Sequence, residues 1–232
     1  MFLTKQTVLN GVKRSGILVL LALGLAVIPN PAAAMLLFDN GAPDLVSGLS
    51  SDAGINLTVA DDFSFAFDAT VTEIQWFGGY GGHVPAAIDD FTVRIFDDDA
   101  LVPLMGSFRP VLGQPVRVDT GLDQTEGGET FDIYQYTLEI AGEPLLADTP
   151  YWLSIQNDTT SSGGNWFWAT TAGAGNAAAT AGDGNLWFRD LNRFALAFNV
   201  SGSSPIPEPS AALVFGMGWI VVSGAIRRRS RG

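Results

Sequence analysis

The sequence predicts an all-β protein, an antiparallel β-sandwich of jelly-roll style. Apolar residues recur with a period of two in several short stretches, which is the pattern of half-buried strands. Clusters of Gly and Asp separate those stretches: Gly78-Gly79, Gly81-Gly82, Asp97-Asp98-Asp99, Gly127-Gly128, Gly163-Gly164 and Asp183-Gly184. Between Met35 and Val200 no stretch of ten or more residues carries a helical period. About nine or ten short strands divided by turns argue for two packed sheets.

Taken along the chain, Val59 to Phe67 and Val71 to Phe77 read as the first strands. Phe91, Val93 and Ile95 share an inward face, as do Tyr134, Tyr136, Leu138 and Ile140 in the segment 132–140. In 151–155, Tyr151, Leu153 and Ile155 face inward, which places Trp152 on the opposite, outer face. Phe194, Leu196, Phe198 and Val200 share the inward face of a last strand, and Pro115 to Val118, Trp166 to Ala169 and Leu186 to Phe188 are shorter candidates. The Ala-, Gly- and Thr-rich segment Thr170 to Asn185 reads as a long flexible loop, and Ser201 to Pro205 as a linker.

Both ends differ from this body. Lys5, Lys13 and Arg14 precede an apolar stretch from Ile17 to Ile28, followed by Pro29-Asn30-Pro31-Ala32-Ala33-Ala34. That is the three-part pattern of a secretory signal peptide over residues 1–34, with cleavage by signal peptidase expected before Met35. At the other end, Pro207-Glu208-Pro209 is followed by an uncharged apolar run to Ile226 and by Arg227, Arg228, Arg229 and Arg231. About 17 residues at roughly 1.5 Å each give about 25 Å of helix, enough to cross a thin bilayer. A transmembrane helix is therefore expected at about 210–226. Both basic flanks would stay cytoplasmic and the body would lie outside.

The body, Met35 to Val200, is of single-domain length. It holds five basic residues, Arg94, Arg109, Arg117, Arg189 and Arg193, and no lysine, against 23 acidic residues, a balance of −18. A field of that sign repels phosphate backbones and excludes a nucleic-acid partner. The chain has no cysteine, which excludes disulfide scaffolds and thiol chemistry, so packing must hold the fold together.

Catalytic chemistry finds little footing. The one histidine, His83, lies in a glycine-rich loop with no Gly-x-Ser-x-Gly motif to supply a nucleophile. One histidine also makes a poor zinc site. Calcium is the more plausible ion, with Asp97, Asp98 and Asp99 as its weak candidates. These stand apart from Asp89-Asp90, because seven residues of strand at ~3.3 Å each separate the groups by roughly 23 Å. The run also lacks the spacing of a calcium-binding loop, so no cofactor is expected beyond that. Trp152, Trp166 and Trp168 are candidate glycan contacts, since indole faces stack on sugar rings. Trp152 is the sharpest of them, because an exposed indole on a sheet calls for a partner.

The tail, Pro207-Glu208-Pro209 with its apolar span and arginine cluster, resembles the C-terminal sorting signal of PEP-CTERM proteins. The resemblance covers 207–231 and implies handling by an exosortase of a Gram-negative, exopolysaccharide-secreting bacterium. The helix would hold the precursor while the chain is cleaved at or near the motif. The body resembles ectodomains that occur with this signal, through Ala60-Asp61-Asp62-Phe63, Ile74-Gln75-Trp76-Phe77-Gly78-Gly79-Tyr80, Asp90-Phe91-Thr92-Val93-Arg94-Ile95, Tyr151-Trp152-Leu153-Ser154-Ile155 and Trp166-Phe167-Trp168. That likeness implies a carbohydrate-binding-module-like sandwich with no assigned ligand. The expectation is an exported, non-enzymatic protein of the cell surface or exopolysaccharide matrix that binds glycan. The competing classes are an extracellular glycoside hydrolase using an Asp/Glu pair and a purely structural or adhesive matrix protein.

Overall fold

The computed structural model describes residues 34–82, 85–97, 108–161, 164–181, 187–188 and 194–204. Within them the chain forms strands and one short 3₁₀ turn, Ala53–Ile55. The strands are β1 (Met35–Asp39), β2 (Pro43–Ser50), β3 (Leu57–Phe63), β4 (Ala69–Tyr80), β5 (Phe91–Asp97), β6 (Phe108–Val111), β7 (Val116–Glu126) and β8 (Glu129–Leu145). They continue as β9 (Tyr151–Asn157), β10 (Trp166–Thr171), β11 (Ala178–Ala181), β12 (Trp187–Phe188), β13 (Ala195–Leu196) and β14 (Phe198–Ser203). No described helix is long and apolar enough to cross a membrane. The expected signal peptide and transmembrane helix lie outside the described residues.

The strands form two antiparallel sheets. One runs β1-β14-β4-β10-β13, with β8 on the other side of β4, β7 beyond β8, and β2 beside β10. The second runs β12-β11-β3-β9-β5-β6. The inward residues of both sheets meet in one core: Val59, Phe63, Val93, Ile95, Leu153 and Ile155 from the second, and Ile74, Trp76, Tyr136, Leu138, Trp168 and Phe198 from the first. This is the arrangement of a β-sandwich, in which each strand buries alternate side chains against the facing sheet. The inward faces read from Phe91, Val93 and Ile95 and from Tyr151, Leu153 and Ile155 are the ones that pack here.

The core is aromatic. Trp76 stacks on Tyr136 with ring centroids 5.5 Å apart and planes 11° from parallel. Phe91 from the opposite sheet meets Trp76, Tyr136 and Trp166 edge-on at 5.2, 4.8 and 5.1 Å. A second cluster lies on the other face of the larger sheet, where Ile133, Phe167, Ala169 and Ala197 pack with Leu45, Phe77 and Phe131.

Four sequence expectations change. Gly78-Gly79 is not a turn; it lies inside β4. A Cβ at Gly78 would sit 2.6 Å from Trp166 Cζ2, and one at Gly79 would sit 2.7 Å from both Phe167 Cζ and the Asp132 carbonyl oxygen. Glycine is there so that two aromatic side chains can lie flat on the strand. The segment Thr170 to Asn185 is not simply a loop, because β11 within it pairs with β3 in register Ala178↔Ala60 to Ala181↔Leu57. The expected linker is strand as far as Ser203, the end of β14. The last strand is broken: Ala197 separates β13 from β14, donating its N–H to the Ala169 carbonyl and accepting from Trp168 Nε1 (3.1 Å). Gly127-Gly128, by contrast, makes the expected turn of the β7–β8 hairpin, with φ of 62° and 87°.

Gly79→Ala is expected to destabilise the fold by about 1–3 kcal/mol through overpacking. Gly81→Ala, where the nearest atom to an added Cβ is 3.5 Å away, is expected to change stability by less than about 0.5 kcal/mol. Urea denaturation of the two variants checks the contrast.

Candidate functional site

Strand β3 alternates Leu57, Val59, Asp61 and Phe63 on its inward face, so the sheet carries a carboxylate into the core. Asp61 is fully buried. Its Oδ2 accepts from the Leu196 N–H (2.7 Å) and from Asn40 Nδ2 (2.8 Å), and its Oδ1 accepts from the Asp62 N–H (3.0 Å). Asn40 Nδ2 also donates to the Leu196 carbonyl (2.9 Å). Asp61 and Asn40 therefore take both backbone groups of Leu196 and tie the smaller sheet to the larger one beside the break at Ala197. Burial raises the Asp61 pKa from 3.8 to about 7, opposed by the three N–H donors and reinforced by the adjacent Asp62 carboxylate.

A second buried carboxylate, Asp52, caps the 3₁₀ turn through Gly54 N–H (2.7 Å) and accepts from Thr159 Oγ1 and the Trp166 N–H, both at 2.6 Å. A third polar group forms where the β4–β5 connection meets β7. Arg117 donates to Asp89 Oδ1 (3.1 Å) and the Ala86 carbonyl (3.0 Å), and its guanidinium lies 5.3 Å from the Tyr134 ring centroid. Asp89 also accepts from the Tyr80 hydroxyl. Asn157 donates to that hydroxyl (3.0 Å) and accepts from the Asp90 N–H (3.0 Å). Burial, aided by the Asp89 carboxylate, pushes the Tyr80 hydroxyl upward, and burial does the same to Tyr136. Both phenols stay protonated, and the Tyr80 hydroxyl is a hydrogen-bond donor.

On the solvent-facing side of the larger sheet, amides form a row across three strands. Gln135 Nε2 (β8) donates to Gln75 Oε1 (β4) at 3.0 Å, and Asn199 Nδ2 (β14) reaches the same oxygen at 3.4 Å. Gln75 Nε2 in turn donates to Glu73 Oε1 at 3.1 Å. All four side chains are half-buried.

The tryptophan candidates are corrected by burial. Trp166 and Trp168 are completely buried in the inter-sheet core. Trp152 does point to the outer face of its sheet, as the alternation requires, but it is only 3 % exposed. Ala60, Phe96, Ala178 and Trp187 pack against it. The reason is β11: its Ala178, beside Ala60, forms part of the floor against which the indole packs. None of the three rings offers a face to a sugar.

Of the calcium candidates, Asp97 ends β5 while Asp98 and Asp99 lie outside the described residues. Asp90 directly precedes β5 and Asp97 ends it, so these two acids lie at opposite ends of one strand. Among the described residues no three His, Cys, Asp or Glu side chains are grouped to hold a metal ion. His83, Pro207, Glu208, Pro209, Arg227, Arg228, Arg229 and Arg231 also lie outside the described residues. Sequence reasoning passed over Asp61, although its inward place in the alternation of β3 was the signal, and Arg117, although basic residues are scarce in so acidic a body.

Fold and site together define an all-β, β-sandwich-like domain whose interior acids are spent on its own backbone and side chains. The model of a domain family of unknown function, DUF7901, matches residues 37–215, and the chain belongs to that family. Neither the curated proteins nor the solved structures contain a match.

Truncating Arg117 removes its hydrogen bonds to Asp89, to the Ala86 carbonyl and, at 3.5 Å, to the Tyr80 hydroxyl, and leaves Asp89, with a side chain 10 % exposed, without its counter-ion. Arg117→Ala is expected to cost about 2 kcal/mol. A double-mutant cycle with Asp89→Ala, read by urea denaturation, should return a coupling of at least about 0.5 kcal/mol; additive losses would mean that the ion pair does not hold this loop.

Proposed function

We propose that this chain is the precursor of an exported, non-enzymatic protein of the cell surface or exopolysaccharide matrix. In this reading a signal peptide over 1–34 directs export of a jelly-roll-like domain, and the 207–231 segment, with its membrane helix at about 210–226, presents the precursor to an exosortase. The observation that carries it is the order of parts: a basic, apolar leader ending in Ala-Ala-Ala, a lysine-free acidic body, then Pro-Glu-Pro, an uncharged apolar run and four arginines. The non-enzymatic part is supported by how Asp52, Asp61 and Asp89 are used, since each accepts hydrogen bonds from the protein's own groups.

The glycan-binding part moves from the tryptophans to the amide row. Amide oxygens and N–H groups can pair with sugar hydroxyls on both donor and acceptor sides. Gln75, Gln135 and Asn199 set three such groups side by side on a solvent-facing sheet. A neutral polymer suits this face, because the body's negative field opposes an anionic one.

Replacing Pro207, Glu208 and Pro209 by alanine in the native host is expected to leave the protein in the membrane fraction as uncleaved precursor. Normal release of that variant would contradict sorting through the motif. For the ligand, the protein is expected to be retarded in native gels containing the host's own exopolysaccharide, and Gln75→Ala/Gln135→Ala should abolish the retardation. No retardation of the wild type would remove the glycan and leave an adhesive or structural role.

A further inference from the structure

The start of β1 and the end of β14, to which the two proposed address segments attach, are neighbours. Met35 pairs with Gly202 of β14, Gly202 with Val71 of β4, and the adjacent Thr70 of β4 with Pro144 of β8. One end of the larger sheet therefore runs across four strands, roughly 15 Å at ~4.8 Å per strand spacing. The Ser204 hydroxyl lies 3.9 Å from Met35 Sδ. Two loops complete this end: 64–68, which leads into β4, and 146–150, which follows β8. They are fastened to each other and to β9. The Ala147 N–H donates to Asp68 Oδ1 (2.9 Å), the Asp148 N–H to the Phe65 carbonyl (2.8 Å) and the Leu146 N–H to the Tyr151 hydroxyl (2.8 Å). Four exposed large apolar side chains stand here together: Met35, Leu36, Phe67 and Leu146. Apolar side chains scattered singly need no explanation, whereas a group of them marks an interaction surface.

We propose that this end of the body is a membrane-facing surface that seats the tethered precursor on the bilayer; the proposal rests on the membrane helix at about 210–226 of the proposed function. The length of the connecting chain selects the occupant. From Ser203, the last residue of β14, to Ser210, where the apolar run begins, the chain reaches at most about 25 Å when fully extended. A domain of this length is roughly 40 Å across. The opposite end, where the β7–β8 hairpin turns at Gly127-Gly128, therefore cannot be turned to the bilayer, and the end that carries Phe67 and Leu146 stays close to it. Asp68, Asp97, Glu143 and Asp148 stand at the same end, which suits a zwitterionic headgroup layer and opposes an anionic one. Four partly exposed side chains make a marginal anchor on their own, and the tether makes them effective by keeping their local concentration at the membrane high. The seat thus holds while the helix holds the chain, and it lets go once the chain is cut near Pro207. While it lasts, it confines the motif at 207–209 to the interface, within reach of a membrane-embedded processing enzyme.

The chain has no cysteine, so single labelling sites can be introduced freely. The full-length precursor is reconstituted into phosphatidylcholine vesicles with an environment-sensitive fluorophore on Leu146→Cys, on Glu126→Cys beside the hairpin turn, or on Ser223→Cys in the apolar run. Doxyl-labelled lipid serves as the quencher in the membrane and iodide as the quencher in water. The label at position 146 is expected to be quenched by lipid and shielded from iodide, and the label at position 126 to behave in the opposite way. Adding Leu36→Ser and Phe67→Ser should return the label at position 146 to water; if that variant fails to fold, the comparison of single labels decides alone. Quenching by lipid at position 223 together with quenching only by iodide at position 146 would overturn the seat and leave the membrane helix standing. A label at position 223 that lipid does not quench would remove the helix and the seat with it. Shielding of position 146 from both quenchers would assign this surface to a protein, a second copy included, and would likewise overturn the proposal.

Discussion

The structure depends on aromatic packing between two sheets that no disulfide cross-links. There is no cysteine in the chain and no lysine between Met35 and Val200, so neither a disulfide nor a lysine ion pair can clamp the sandwich. What joins the sheets is a set of rings: Trp76 and Tyr136 stacked on one side, Phe91 entering edge-on from the other, with Trp166 beside them and Phe63 contacting Phe198 farther along. Offset and edge-to-face pairs contribute about 0.5–1.5 kcal/mol each beyond the area they bury. Gly78 and Gly79 are a direct consequence of this packing, since the rings of Trp166 and Phe167 occupy the space their side chains would fill.

The same core governs the polar interior. Burying carboxylates is costly unless each oxygen finds a donor, and Asp52 and Asp61 meet that condition with backbone N–H groups, one of them in each case from a strand end. Asp52 holds the Trp166 N–H and Asp61 holds that of Leu196. Each acid therefore fixes the start or end of a strand that carries a core side chain. The acidic surface, in contrast, is a property of charge count and sets solubility and choice of partner.

Much of the inner face was legible because alternation is unambiguous where large and polar residues take turns, as in Tyr151, Leu153 and Ile155 or Phe91, Val93 and Ile95. Strand β11, Ala-Ala-Thr-Ala, has no such contrast, so composition alone reads it as loop. Strand β2 contains both Pro43 and Gly48 and is half-buried along most of its length, which leaves no period to detect. Missing β11 also misplaced Trp152: its direction follows from its neighbours, but whether other residues cover it depends on the tertiary fold. Asp61 was hidden for the opposite reason. Its position within an inward-facing pattern was visible, while its partners, Asn40 and Leu196, are 21 and 135 positions away. The amide row has the same character, since Gln75, Gln135 and Asn199 become neighbours only through strand register.

These features describe a β-sandwich-like body, and the proposal is that its two ends serve as addresses that deliver the folded body. Intact-mass analysis of the protein recovered from its native host tests that claim most directly. The account predicts a mature chain that begins at Met35 and ends at or near Pro207, with or without an added mass at its new end. A mature, membrane-bound chain that still carries Arg231 would contradict it and make this an ordinary anchored surface protein.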